Sequence, residues 1–560
     1  MQFRPIKAKL NCFLLFVSLM CLFLVWSCNE EKSSPKDPEF DTGALSFNLD
    51  YHDDTDANLR SDTAKIDCEE QGIATVEAKI YDSKDNKEIA HGGPWNCDAG
   101  NGTISEVRTG SDRIIVVLGK DADGNIILSG EKSGITVAAN SENDIGTIDC
   151  YAFVPNLTAP AHEAVVKQGA VDLQWEAVAG AAEYCVFVSQ NSDMSDPVIE
   201  DHPASANDAP SGLTPITTYY WQVFAVDRDG NWGIGSQIRA LTVAGRLPDT
   251  GQIYDYTDTV GEDSEYVINP PTYTKLDTSG NVLPDDADDW AMVRDDITGL
   301  IWEVKTDFDD IHNVDDTYTW QGAQDNFIAQ LNNDNFGGYA DWRLPTIKEL
   351  YTLVNKGRHN TAVNRDFFPN IKYSTATPRL VYWSSTTAVV DSGLAWYQDF
   401  QDGDIYFKGN GDKEHANYVL AVRGRQVNST FVDNEDGTVT DIATGLIWQQ
   451  AGPTDQEGSA RTMTWEEALT YCEELELAGK DDWRLPNINE LQSIVDYTAY
   501  DPSVDVTIFP DTQSGSYWSS TTYDPNSDIA WDIHFLSGDI WVSTPDKTGN
   551  RYVRAVRGGQ

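Results

Sequence analysis

The pentapeptide DWRLP stands at 341–345 and again at 482–486, and each copy is followed by YWSSTT, at 382–387 and 517–522. Working outward, further words recur in the same order. TGLIWEV (298–304) matches TGLIWQQ (444–450), AWYQDF (395–400) matches AWDIHF (530–535), and YVLAVRG (418–424) matches YVRAVRG (552–558). The spacing between words changes little, so residues 290–425 and 428–560 read as two tandem domains of one design.

Local chemistry accounts for most of these words. Thr464 and Glu467 have capping-box spacing, which predicts a helix from Trp465 to Leu477 with Ala468, Leu469, Cys472 and Leu475 on its apolar face. Thr346 with Glu349, and Asn487 with Glu490, repeat that spacing directly after Pro345 and Pro486. A proline before the cap stops the preceding strand and sets the entry angle of the helix. Further on, Trp531, Ile533 and Phe535 alternate on one face, the chain turns at Ser537-Gly538, and a return strand completes a hairpin. Each module is thus α+β, two short helices followed by a β-rich half.

This order of words resembles the Lcl C-terminal domain, the terminal domain of the Legionella collagen-like adhesin. The resemblance implies a variant of the fold shared by C-type lectins and formylglycine-generating enzymes, and extracellular binding of a glycan or protein. One departure stands out. Many members carry a cysteine before the final Val-Arg-Gly, where this chain has Ala421 and Ala555, so a family-type disulfide from Cys472 has no obvious partner.

Upstream, residues 43–152 alternate apolar and polar residues between turn signals and read as a β-sandwich. Residues 154–245 resemble a fibronectin type III domain. Trp175 stands at the buried strand-B position, and Tyr184, Val186 and Val188 alternate inward, which leaves Cys185 facing out of the sandwich. Residues 246–289 are rich in Asp, Gly and Pro and read as a linker or a strand-poor entry to the next unit. The expected architecture is multidomain: a β-sandwich, a fibronectin type III β-sandwich, and two tandem α+β C-type-lectin-like domains.

The formal net charge of −51 argues against nucleic acid or an anionic surface as partner unless cations bridge the contact. Arg4, Lys7 and Lys9 precede an apolar run that closes at Ser27-Cys28. This pattern is expected of a signal peptide (1–27), and it resembles a lipobox with lipidation at Cys28 and a polar tether over 28–42. Asn29 after the lipidated cysteine favours the bacterial outer membrane or cell surface. Export permits disulfides, and Cys68–Cys97 is the expected bridge. Oligomeric state is left open.

Catalytic signatures are missing: there is no H-E-x-x-H, G-x-S-x-G or P-loop. His312, His359 and His415 have no counterpart in the second copy, and His534 stands alone there. The copper-binding cysteines of formylglycine-generating enzymes are missing from the first module, so a binding protein, not an enzyme, is expected. Candidate ligand contacts are Trp383, Ser384 and Ser385 with Trp518, Ser519 and Ser520, where an aromatic face beside hydroxyls suits a polyol as well as it suits a core. Arg343 and Arg484 are candidates to grip an anion, or structural ion-pair partners. Asp433, Asp436 and Asp441 offer oxygen ligands to calcium, against a plain strand–turn–strand reading. Asp121, Asp123 and Asn125 pose the same alternative. No other cofactor is implied. The competing function is a structural component of the cell envelope.

Overall fold

The computed structural model describes residues 41–558 apart from 52–67, 69–71, 359, 375–378, 427–428 and 541–545. Cys28, the signal segment, most of the tether and His359 lie outside the described residues.

The first domain is one curled sheet. Its strands run in the order Asn101–Arg108, Thr42–Tyr51, Glu142–Ala152, Ile126–Val137, Gly110–Lys120, Thr75–Asp82 and Glu88–Trp95. Strict alternation in Thr42–Tyr51 sends Leu45 and Phe47 into a core shared with Ile80, Ile104, Val117 and Ile148. The sheet folds over into the two layers of a β-sandwich around this core, because Glu142–Ala152 pairs with Thr42–Tyr51 along 142–150 and with Ile126–Val137 only through Tyr151 and Ala152. Cys68 and Cys97 are joined by a disulfide. The Asp121 carboxylate accepts from the backbone of Asp123 and Asn125 and from the Asn125 amide, closing the turn before Ile126.

The second domain is a two-sheet sandwich. Leu157–Ala159, Leu173–Trp175 and Asn207–Asp208 face a larger sheet built on Glu183–Ser189 and Thr217–Val226. Trp175, Tyr184, Val186, Val188 and Trp221 fill its core. Tyr81, Val116, Leu118 and Ile126 of the first domain join the same core, so the two domains are fused through the outer face of the curled sheet. Cys185 lies outside that core, as its alternation predicts. It is nonetheless fully buried, with its sulfur 3.9 Å from His202 Nε2. The thiol is pushed up to about 12, chiefly by burial.

Each module has two short helices and a β half. The first opens at Tyr273–Leu276, which pairs with Met292–Asp295, and continues to Ile301–Glu303 and Val422–Arg423. The second repeats the order with Phe431–Asp433, Thr438–Asp441, Leu446–Gln449 and Val556–Gly558. The helix expected to reach Leu477 spans Trp465–Glu473. It ends in a tighter turn, Leu475 N to Cys472 O at 3.2 Å, after which Leu477 and Lys480 bond to one another across a turn in which Ala478 takes φ 54° and Gly479 φ 68°.

The modules embrace one another with pseudo-two-fold symmetry. Ile405 and Ile540 occupy the same position of their repeats and bridge to one another, as residues on a two-fold axis do. Lys356 and Tyr497 are likewise equivalent, each eleven residues past its DWRLP. Lys356 Nζ sits 3.7 Å over the Trp531 ring, while the Tyr497 ring meets Trp396 at 4.8 Å. One hydrophobic core spans both modules, including Trp302, Leu350 and Trp396 of the first and Trp448, Leu491 and Trp531 of the second.

Residues 246–272 form a strap over the second module, with Asp249, Thr250, Gln252, Glu262 and Asp263 buried, and residues 273–289 belong to the first module. Of the two readings of 246–289, residues 273–289 are the entry to the next unit, and 246–272 are a packed strap rather than a linker for a physical reason. The acidic residues that suggest solvation find hydroxyl and amide donors across the chain.

Candidate functional site: the Thr-Thr edge of each module

The repeated words interlock. Arg343 and Arg484 each bond to the strand that ends in Val-Arg-Gly, through the backbones of Val422 and Val556. The aspartate that opens DWRLP pairs with the arginine of that strand: Asp341 with Arg423 at 2.7 and 3.1 Å, Asp482 with Arg557 at 2.6 and 3.0 Å. Both arginines of DWRLP make bidentate pairs with the helix-capping glutamate, Arg343 to Glu349 at 2.7 and 2.6 Å and Arg484 to Glu490 at 2.6 and 2.6 Å. The same glutamates close the capping boxes at Thr346 and Asn487. Neither guanidinium is thus free to grip an anion.

YWSSTT is mostly core. Trp383 and Trp518 are both fully buried, and their indole N–H groups donate to Tyr318 O and Met463 O. Ser384 and Ser519 are buried and donate to Trp396 O and Trp531 O at 2.7 Å. The Ser385 hydroxyl donates to Pro345 O, and the Ser520 backbone to Pro486 O. A sugar-stacking role needs an exposed aromatic face, and these tryptophans have none, so the expected ligand platform at Trp383, Ser384, Ser385, Trp518, Ser519 and Ser520 is corrected to scaffold. The strand is covered on both faces, Tyr382 and Tyr517 in the core that spans the modules and Trp383 and Trp518 in the core beneath each module's first helix.

What the phrase does present is its last two residues. In module one Lys413 Nζ lies 3.9 Å over the Trp320 ring and donates to Thr387 Oγ1 at 2.8 Å. Module two repeats the triad, with Lys547 Nζ 3.7 Å over Trp465 and 2.8 Å from Thr522 Oγ1. Trp320 and Trp465 are held by the same bond, indole N–H to the carbonyl of Ser384 or Ser519, at 2.8 Å.

On module two the strap covers this triad. Thr521 donates to Asp263 at 2.7 Å, Thr522 donates to Glu262, and the Thr522 backbone donates to Gln252 Oε1 at 2.8 Å. Tyr256 donates to Asp524 and Tyr266 to Glu473, both at 2.6 Å. Burial pushes Asp263 up to about 7. Asp249 is raised to about 8 by burial and by the neighbouring Asp263 and Glu490. Burial also lowers Lys547 to about 8, against the pull of Glu262.

Reading the sequence missed both the Asp–Arg clasp and the Lys–Trp–Thr triad. A signal existed for the triad. Lys413 and Lys547 both stand five residues before the tyrosine of the Val-Arg-Gly word, and a Thr-Trp pair opens each first helix.

The expected calcium ligands do not converge. Asp433 accepts from Glu435 N, Asp436 from Thr438, and buried Asp441 from Ala443 N and Thr444. Each caps its own turn. Among the described residues, one group of three metal-ligating side chains comes together, Cys185, Glu200 and His202, with ligand atoms within 4.8 Å of one another. Cys472 is a buried free thiol.

Among solved structures, similarity is found to the fibronectin(III)-like modules of CbhA from Clostridium thermocellum (16% identity, 16% of this chain and 94% of that chain, TM-score 0.13). An Fn3-like protein from the same organism matches at 26% identity over 16% of this chain and 93% of that chain, with TM-score 0.14. No curated protein matches the chain. No helix among the described residues is long and apolar enough to cross a membrane. The Lcl C-terminal domain model matches residues 291–423 and 437–557, both copies of the DWRLP design. The two modules are therefore tandem members of the Lcl C-terminal domain family.

Proposed function

We propose that the chain is a lipid-anchored surface protein of the adhesin type, whose paired modules bind an extracellular glycan or protein. The observation that carries this reading is the family match of both modules, a domain associated with adhesins. Fibronectin type III identity for residues 154–245 and lipidation at Cys28 complete the reading as anchor and spacer. Binding, not catalysis, is assigned to the modules, and calcium is an optional bridge for so acidic a surface.

The test is binding of the full mature chain to immobilised extracellular-matrix proteins and to a glycan array, with and without calcium. Saturable binding to one ligand class is expected. Failure on every surface, together with self-association of the chain, sinks the adhesin reading in favour of an envelope component. For the anchor, Cys28→Ala should release the protein from membranes into the soluble fraction.

A further inference from the structure

We propose that the Thr386–Thr387–Lys413–Trp320 edge of module one is a docking site for an acidic, extended peptide segment of another protein. The chain displays the binding mode on its second module, with its own residues 248–266. The inference deepens the binding function proposed above and rests on it.

The argument is a comparison of equivalent positions. The triads superpose group for group, Trp320 on Trp465, Lys413 on Lys547 and Thr387 on Thr522, with the same distances to within a few tenths of an ångström. Their surroundings differ. Thr521, Thr522 and Trp465 are fully buried, whereas Thr386, Thr387 and Trp320 remain partly open to solvent. In module two the hydroxyl protons of Thr521 and Thr522 go to the strap carboxylates of Asp263 and Glu262. In module one Thr386 Oγ1 accepts from Ile347 N and Thr387 Oγ1 accepts from Lys413. Neither hydroxyl donates to any partner among the described residues.

Charge points the same way. Lys547 is compensated by Glu262 of the strap. Lys413 makes no ion pair among the described residues and is held only by the Trp320 face and a hydroxyl. A partly buried ammonium over an indole gains most from a carboxylate that arrives with the ligand. The rim is also friendlier to an acid here. At the position of Asp524, module one carries Val389, half exposed beside the similarly exposed Val390. Acidic side chains for the hydroxyls and ammonium, with apolar or aromatic residues for the valines, define the ligand. The strap has that composition, with Tyr254 and Tyr256 near Glu262 and Asp263.

The probe is a labelled synthetic peptide of residues 248–268, titrated into the full mature chain and followed by fluorescence anisotropy. Saturable, salt-sensitive binding is expected. It should weaken at least about tenfold, about 1.4 kcal/mol, when the peptide carries Gln and Asn for Glu262 and Asp263. A similar loss is expected with Lys413→Met in the protein, and a smaller one with Thr387→Val. The altered peptide needs no change in the protein, so misfolding cannot mimic the result. No saturable binding, or binding indifferent to both the altered peptide and Lys413→Met, overturns the proposal. If matrix or glycan binding then persists and ignores Lys413→Met, the docking site alone has failed. If no extracellular ligand binds either, the adhesin reading has failed with it.

Discussion

Module two buries its working edge under residues from outside the repeat, and module one leaves the same edge to water. The framework beneath is nearly identical: the Asp–Arg clasp, the bidentate Arg–Glu pair, the capping box and the Lys–Trp–Thr triad occur in both. Divergence sits in the cover. Arg484 is 5% exposed and Arg343 27%. One sequence design thus serves two physical roles, a closed module that organises the chain and an open one that meets solvent.

The largest effect expected of any single change tests that asymmetry. Removing one partner of a buried ion pair leaves an uncompensated charge, so Glu490→Ala should cost about 3–5 kcal/mol. Glu349→Ala should cost roughly 2 kcal/mol or less, because water reaches the Arg343 guanidinium that is left behind. Denaturant unfolding of the two variants gives the comparison directly. Equal losses would mean that the modules differ in cover but not in dielectric.

Next in size are the strap contacts. Thr522→Val removes one of three donors to the buried Glu262 carboxylate, which keeps Gln252 Nε2 and the Tyr256 backbone, at about 1.5–3 kcal/mol for a hydrogen bond to a charged group, while Thr387→Val removes only a contact with Lys413 and should cost well under about 1 kcal/mol. Amide exchange over 249–266 should speed up in the first variant only. The strap also carries its own pH dependence. Asp263 is raised to about 7 and Asp249 to about 8, both by burial, from an unfolded value near 4. The folded state therefore keeps protons that the unfolded state has released. The stability these groups contribute is whole below about pH 4 and is lost as pH rises toward 8. The opposing group is Lys547, depressed to about 8, whose contribution changes mainly above that pH. Exchange of 249–266, corrected for intrinsic rate, should be slower at pH 5.5 than at pH 8. No difference would mean that water reaches these carboxylates.

How much of this was legible follows from where the interactions lie in the chain. Capping boxes span three residues, so Thr346–Glu349 and Asn487–Glu490 could be read directly, and their helices are present. Strand alternation placed Trp531, Ile533 and Phe535 in the core. The Arg–Glu pair spans six residues and was one of two readings for its arginines. The Asp341–Arg423 clasp spans 82 residues and was invisible until both words met in space. The strap misled because composition reports solvation on average, whereas Glu262 and Asp263 are satisfied by hydroxyls some 260 residues away. Trp383 and Trp518 misled in the opposite sense, since hydroxyls beside an aromatic serve a polyol and a buried backbone carbonyl equally well.

The smallest effect concerns the pseudo-two-fold axis, where equivalent positions carry different chemistry. Lys356 is buried over Trp531 and Tyr351 and donates to Gly403 O at 3.1 Å, while its counterpart Tyr497 packs on Trp396 without charge. Burial pulls the Lys356 ammonium well below its usual range. A depressed lysine contributes stability that is present above its unfolded pKa and is lost as pH falls through the folded value. Lys356→Met keeps the volume, gives up the cation–π contact and removes the desolvation cost. The two terms oppose, so the net change at pH 7 should stay within about 1 kcal/mol. The variant should also lose the share of stability that Lys356 itself adds as pH rises toward its unfolded value. A loss of several kcal/mol at pH 7 would mean that the charge itself holds the modules together, and that the neutral Tyr497 half of the interface depends on it.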